Sequence, residues 1–158
     1  MTENEISAQV LDAAIAVHNE LGGPGLLESC YEAALVCELR MRGLAVEEQK
    51  PVPVVYKGQV IGNPYRLDLV VEDKVIVECK ATEENNPIHA AQVLTYLRLA
   101  KLKLGVVVNF GRKKILDGYE RVVNGMPDGN AERGRGGRGR YFNAETQRRR
   151  GDAAGGEK

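Results

Sequence analysis

Asp68, Glu78 and Lys80 are of the types that do chemistry, and their spacing brings them together. They lie in the run Tyr65-Arg-Leu-Asp-Leu-Val-Val-Glu-Asp-Lys-Val-Ile-Val-Glu-Cys-Lys80. Val and Leu alternate with other residues on both sides of a short polar turn, Glu72-Asp73-Lys74, which predicts a β-hairpin. Successive side chains on a strand point to opposite faces. Leu67, Leu69 and Val71 should then share one face with Val75, Val77 and Cys79, leaving Asp68, Val70, Ile76, Glu78 and Lys80 on the other. A hairpin centred on Asp73 sets Asp68 opposite Glu78. Two carboxylates facing each other across a ladder repel, so a cation is needed between them. Lys80, two residues beyond Glu78, can reach the same spot. Two acids and a lysine converging on one point suit Mg²⁺-assisted hydrolysis of a phosphodiester.

The elements that position this group read as follows. Residues 4–21 form a helix with the stripe Ile6, Val10, Ala13/Ala14, Val17 and Leu21, ended by Gly22-Gly23-Pro24-Gly25. A second amphipathic helix runs from Leu26 to about Arg42 and closes at Gly43. Short strands are expected at 44–49, 52–56 and 59–61, with Lys57-Gly58 as the turn between the last two. After the hairpin 65–80, a helix spans roughly 86–101, with Asn85 or Asn86 as N-cap and Pro87 at its first position. Lys103–Phe110 is a buried type of strand, and 114–123 a weaker one. The predicted order is α-α-β-β-β-β-α-β, an α/β fold with a mixed β-sheet flanked by helices.

The 158 residues suggest one domain. Lys/Arg and Asp/Glu balance over the chain, but residues 126–158 hold eight basic against five acidic side chains, leaving 14 against 17 in 1–125. An acidic core argues against tight autonomous nucleic-acid binding. The composition changes at about Met126, where Ala131-Glu-Arg-Gly-Arg-Gly-Gly-Arg-Gly-Arg140 is of low complexity, so 126–158 is expected to be a disordered Gly/Arg-rich tail behind a domain of residues 1–125. Cutting the chain after about Asn124 should leave the fold intact. Arg/Gly tails can bind RNA, though a solvated extension without a role explains this one as well. Cys30, Cys37 and Cys79 lack C-x-x-C spacing and read as small core residues in a reducing cytoplasm rather than zinc ligands or a disulfide. The N-terminus is acidic and polar, with no signal-peptide stretch, and no apolar run is long enough for a membrane span.

Gly25-Leu-Leu-Glu28-Ser-Cys-Tyr31 resembles the motif of the GxxExxY proteins, a bacterial and archaeal group placed in the PD-(D/E)XK nuclease superfamily. The resemblance extends over nearly all of residues 5–124, including Asn109-Phe110-Gly111. It implies a restriction-endonuclease-like core with an acid at the end of one strand and E-x-K on its neighbour, here Asp68, Glu78 and Lys80, with Leu67 in place of the usual Pro. A glutamate from the preceding helix often joins such sites, and Glu28 is the matching position. Gln92-Val-Leu-Thr-Tyr96 matches the Q-x-x-x-Y of RecB-like members, and i, i+4 spacing puts Gln92 and Tyr96 on one helix face with His89.

On this reading a Mg²⁺ or Mn²⁺ ion is held by Asp68, Glu78 and the Cys79 carbonyl, with Glu28 available to orient a bound water or a second ion. An ammonium between two carboxylates keeps its charge, so Lys80 acts by electrostatic positioning. Gln92 and Tyr96 contact water, phosphate or a base, and Arg66, on the same face as Asp68, clamps a phosphate. Plainer readings stand beside these. Glu78–Lys80 can be a surface ion pair, Glu28 an acid favoured at a helix start, and Gln92 and Tyr96 packing residues. Tyr31 reads as packing, Glu32 as solvent-facing, His89 as structural, Arg112-Lys113-Lys114 as a solvated turn, and His18 has no assigned role. The function expected is metal-dependent cleavage of DNA or RNA, with weak binding alone and room for a protein partner. The alternative is a non-catalytic nucleic-acid- or protein-binding module on the same fold.

Overall fold

The computed structural model describes residues 1–126 and Arg140–Asn143. Helix α1 (Glu3–Glu20) starts at a capping box, in which Thr2 Oγ1 accepts from Glu5 N and Thr2 N donates to Glu5 Oε2. Its stripe Ile6, Val10, Ala13, Ala14 and Val17 is buried, but Leu21 lies past the last turn and is exposed. Helix α2 (Glu28–Met41) follows the glycine turn. Two long strands, β1 (Val46–Tyr56) and β2 (Gln59–Val71), pair antiparallel, and β2 pairs with β3 (Val75–Lys80) in the same sense. Helix α3 (Pro87–Ala100) crosses to β4 (Leu104–Asn109), parallel to β3. A single turn, α4 (Ile115–Gly118), leads to β5 (Tyr119–Val123), antiparallel to β4, and β6 (Arg140–Asn143) adds parallel to β5. The sheet order is β1-β2-β3-β4-β5-β6.

The strands expected at 44–49, 52–56 and 59–61 are thus parts of two long ones. Pro51 falls between two of the expected strands and Pro53 inside one, but β1 is an edge strand, where a residue without an N–H is tolerated. The register shifts between Val52 and Val54, and Gly62 turns left-handed there, so β2 absorbs its extra residues as a bulge. The turn at Lys57-Gly58 forms as expected, with Tyr56 paired to Gln59 and both turn residues at positive φ. Of the tail expected to be disordered, residues 127–139 and 144–158 lie outside the described residues. Met126 packs on the core, and the β-formers Tyr141 and Phe142 lie within β6, which covers the edge of β5.

Two apolar layers sandwich the sheet. On one face α1 and α2 pack on Leu69, Val71, Val75, Val77, Cys79, Val106 and Val108. On the other, α3 packs on Val70, Ile76 and Val107. Leu67 belongs to this second layer, not to the Leu69 layer that strict alternation predicts. The phase slips where Gln49, the β1 residue across from Asp68, adopts a left-handed backbone (φ 50) and interrupts the ladder between Glu48↔Leu69 and Lys50↔Leu67. Among the cysteines, Cys79 is buried, whereas Cys30 and Cys37 lie on the exposed side of α2. Their spacing of seven does put them on one helix side, but α2 buries the side carrying Tyr31, Leu35 and Leu39.

Candidate active site

The turn carrying Glu72 and Asp73 puts both at positive φ and closes with Lys74 N donating to Val71 O. That fixes the β2–β3 register as Val71↔Val75, Val70↔Ile76 and Leu69↔Val77. Continued one step, it sets Asp68 across from Glu78. Here the strands part, and Asp68 Oδ2 accepts the Cys79 N–H at 3.0 Å in place of a backbone carbonyl. The N–H and C=O of one strand residue point to the same side. The Lys80 carbonyl faces β4, where it accepts from Phe110 N at 2.8 Å. The Cys79 carbonyl therefore faces β2 and Asp68.

Glu78 is only 6% exposed. Its Oε1 lies 3.4 Å from Lys80 Nζ, while its Oε2 is buried without a hydrogen-bond partner. Burial first, and the Asp68 charge second, push its carboxyl up to about 8, against the opposing pull of Lys80. Burial works against the Lys80 ammonium, but Glu78 and then Glu28 outweigh it and raise its pKa above the ordinary lysine value. Lys80 is therefore a fixed cation rather than a ready base.

Glu28 opens α2, half-buried, and its charge is felt at Lys80, Glu32 and His89. Glu32, read from sequence as solvent-facing, is instead half-buried at the site. Gln49 Nε2 donates to its Oε1 at 2.8 Å, and burial, then the nearby Asp68 and Glu28 charges, raise its carboxyl against that hydrogen bond. The signal for it was in the chain, since Glu32 stands one helical turn after Glu28. Tyr31 is the packing residue expected: it is fully buried and stacked on Phe110 at 4.8 Å, and its hydroxyl donates to Gly23 O and accepts from Leu26 N.

On α3, Asn86 Oδ1 caps the helix by accepting from Ile88 N. Tyr96 is half-buried, and burial first, then the Glu78 charge, pushes its phenol up. Gln92 is exposed, one turn before it, and lies beside His89. Burial and the Lys80 charge hold the His89 imidazole below its usual range. Arg66 is exposed and its guanidinium reaches Gln49 O at 3.4 Å, not Asp68; it forms no salt bridge among the described residues. Arg66 and Asp68 are alternate residues, but the left-handed Gln49 bends the ribbon between them.

Among the described residues, no three His, Cys, Asp or Glu side chains gather closely enough to hold a metal by themselves. What is assembled is two carboxylates and a backbone carbonyl. That donor set fits a hard divalent cation that keeps several waters. The specific sign is the crowding of Glu78 against Asp68 with Glu78 Oε2 buried away from any donor, because such a pair is costly once both groups are charged.

The family model described as the PD-(D/E)XK nuclease superfamily matches residues 4–122. No curated protein and no solved structure matches the chain.

Proposed function

The chain belongs to the PD-(D/E)XK nuclease superfamily, and from that premise we propose that it is a metal-dependent nuclease acting at Asp68, Glu78 and Lys80. The observation that carries this reading is the buried Glu78 carboxyl, beside Asp68 and with one oxygen unsatisfied. An idle scaffold has no use for that arrangement, which speaks against a purely binding role. The Gly25–Tyr31 motif supports placing the chain in the GxxExxY group.

Asp68, Glu78 and the Cys79 carbonyl would hold Mg²⁺ or Mn²⁺. A bound ion of that kind supplies a water of lowered pKa and neutralises charge on the phosphate. Lys80 holds its positive charge at the mouth of the pair, where it attracts a phosphate oxygen and stabilises charge that builds on it. Glu28 and Glu32, one above the other on α2, orient water beside the carboxylate pair. Gln92 contacts the substrate from α3. Arg66, exposed on the ribbon, contacts the backbone further along. With an acidic body around the site, affinity for nucleic acid is modest and depends on these local cations.

The test is a cleavage panel on single- and double-stranded DNA and RNA, with and without Mg²⁺ or Mn²⁺. Wild type should cut only with the ion, and Lys80→Ala and Asp68→Ala should each lose about 100-fold or more. Equal, metal-independent activity in all three proteins rejects the proposal.

A further inference from the structure

Tyr65 stands three residues before Asp68 on β2 and is 49% exposed. It belongs to neither buried cluster, so the fold makes little use of its ring. Its ring lies 5.6 Å from that of Tyr96, tilted by 47°. Tyr96 in turn packs at the edge of the α3 layer and faces the Glu78 and Lys80 charges. The two rings are therefore in contact and form one aromatic surface, open to solvent at Tyr65 and reaching toward the carboxylate pair at Tyr96.

The ribbon that carries Tyr65 differs in charge from the rest of the domain. From Pro51 to Leu67 there is no acid, while Lys57 and Arg66 are both exposed. The body as a whole has more acids than bases. An acid-free ribbon with two cations leading to the site complements a polyanion. The exposed Tyr65 ring at the foot of the ribbon complements the flat face of a base.

We propose that Tyr65 and Tyr96 form a stacking platform for an unpaired base next to the phosphate at Asp68, Glu78 and Lys80, so that the substrate of this site is single-stranded nucleic acid. This rests on the nuclease reading and narrows its substrate. A base inside a duplex has both faces covered by its neighbours and cannot lie on a protein ring without leaving the stack. Single strands present free faces, and stacking on aromatic side chains tolerates any base. The platform thus selects strandedness rather than sequence.

The experiment measures binding by fluorescence anisotropy without divalent ions, so that no strand is cut. The probes are one labelled single-stranded DNA, its duplex, and an abasic strand of equal length. The proteins are wild type, Tyr65→Ala and Tyr65→Phe, with thermal melts showing that the folds are equal. The expected result is that wild type prefers the single strand to the duplex and that Tyr65→Phe stays close to wild type. Tyr65→Ala should weaken single-strand binding between about 5-fold and 100-fold, and this loss should vanish on the abasic strand. The proposal is overturned if Tyr65→Ala binds the single strand as wild type does, if the loss persists on the abasic strand, if the duplex binds as tightly, or if no strand binds. These readouts need no cleavage. Correct binding behaviour without metal-dependent cutting would remove the nuclease reading and leave the platform, and cutting with an inert Tyr65→Ala would do the reverse.

Discussion

Under the proposed nuclease reading, Glu78 is the residue on which stability and activity conflict. Its carboxyl is pushed up to about 8 by burial and by Asp68, whereas in the unfolded chain it titrates near 4.5. Between these values the folded state holds a proton that the unfolded state has released. Stability of the metal-free protein must therefore fall as pH rises from about 4.5 to 8, and recover on acidification. Replacing Glu78 with Gln removes the charge that must be suppressed. Glu78→Gln should stabilise the metal-free protein at pH 8 by roughly 1–3 kcal/mol and flatten this pH dependence. Urea denaturation at pH 5 and pH 8 checks it, and a clear loss of stability would count against crowded acids. An ion entering between the two carboxylates must also displace the Glu78 proton. Titration calorimetry with Mn²⁺ near pH 7 should show proton release that Glu78→Gln abolishes. The facing acids were legible in the chain, because turn symmetry and two-residue alternation fix a hairpin register. Glu32 was legible only by its place one helical turn after Glu28, since its burial depends on Gln49 and a backbone turn that no local pattern announces.

At the scale of elements, the β1–β2 ribbon shows where local rules fall short. Pro51, Pro53 and Pro64 each discourage a strand, yet an edge position and a bulge accommodate all of them. Whether a strand lies at an edge is decided by the whole sheet, so sequence alone split the ribbon into pieces. The helices were easier, because caps such as Thr2 and Asn86 and the glycine turn are local signals. Gly111 is a place where packing dictates residue type: a Cβ there would run into the Thr82 backbone. Gly111→Ala should therefore cost at least about 2 kcal/mol. Chemical denaturation measures this, and a near-neutral result would mean that the loop after β3 yields freely.

For the molecule as a whole, both buried clusters draw, among the described residues, on residues 6–123, and Met126 packs against one of them. A chain ending after Met126 should unfold cooperatively in calorimetry, with its melting temperature within a few degrees of the full chain. Non-cooperative melting would show that β6, the strand Arg140–Asn143, is needed to cover β5. If Asp68 and Glu78 hold Mn²⁺, the ion at 100 times its Kd should stabilise the folded protein by about 2.7 kcal/mol, and Asp68→Ala should erase that gain in a thermal shift. The mixed sheet with helices on both faces could be read from the order of elements. The added sixth strand could not, because it follows a stretch whose composition signals no packing at all.

Asn109, nearly buried at the end of β4, accepts from Thr82 N and Gly111 N through its Oδ1 and donates to Thr82 Oγ1 and Asn85 Oδ1 through its Nδ2. One amide thus ties together the segment leaving Lys80, the approach to α3 and the exit from β4. These parts cannot loosen separately. In hydrogen exchange the Thr82 and Gly111 amides should open in a single event, and any breathing that frees the lysine's strand should free the foot of the tyrosine-bearing helix at the same moment.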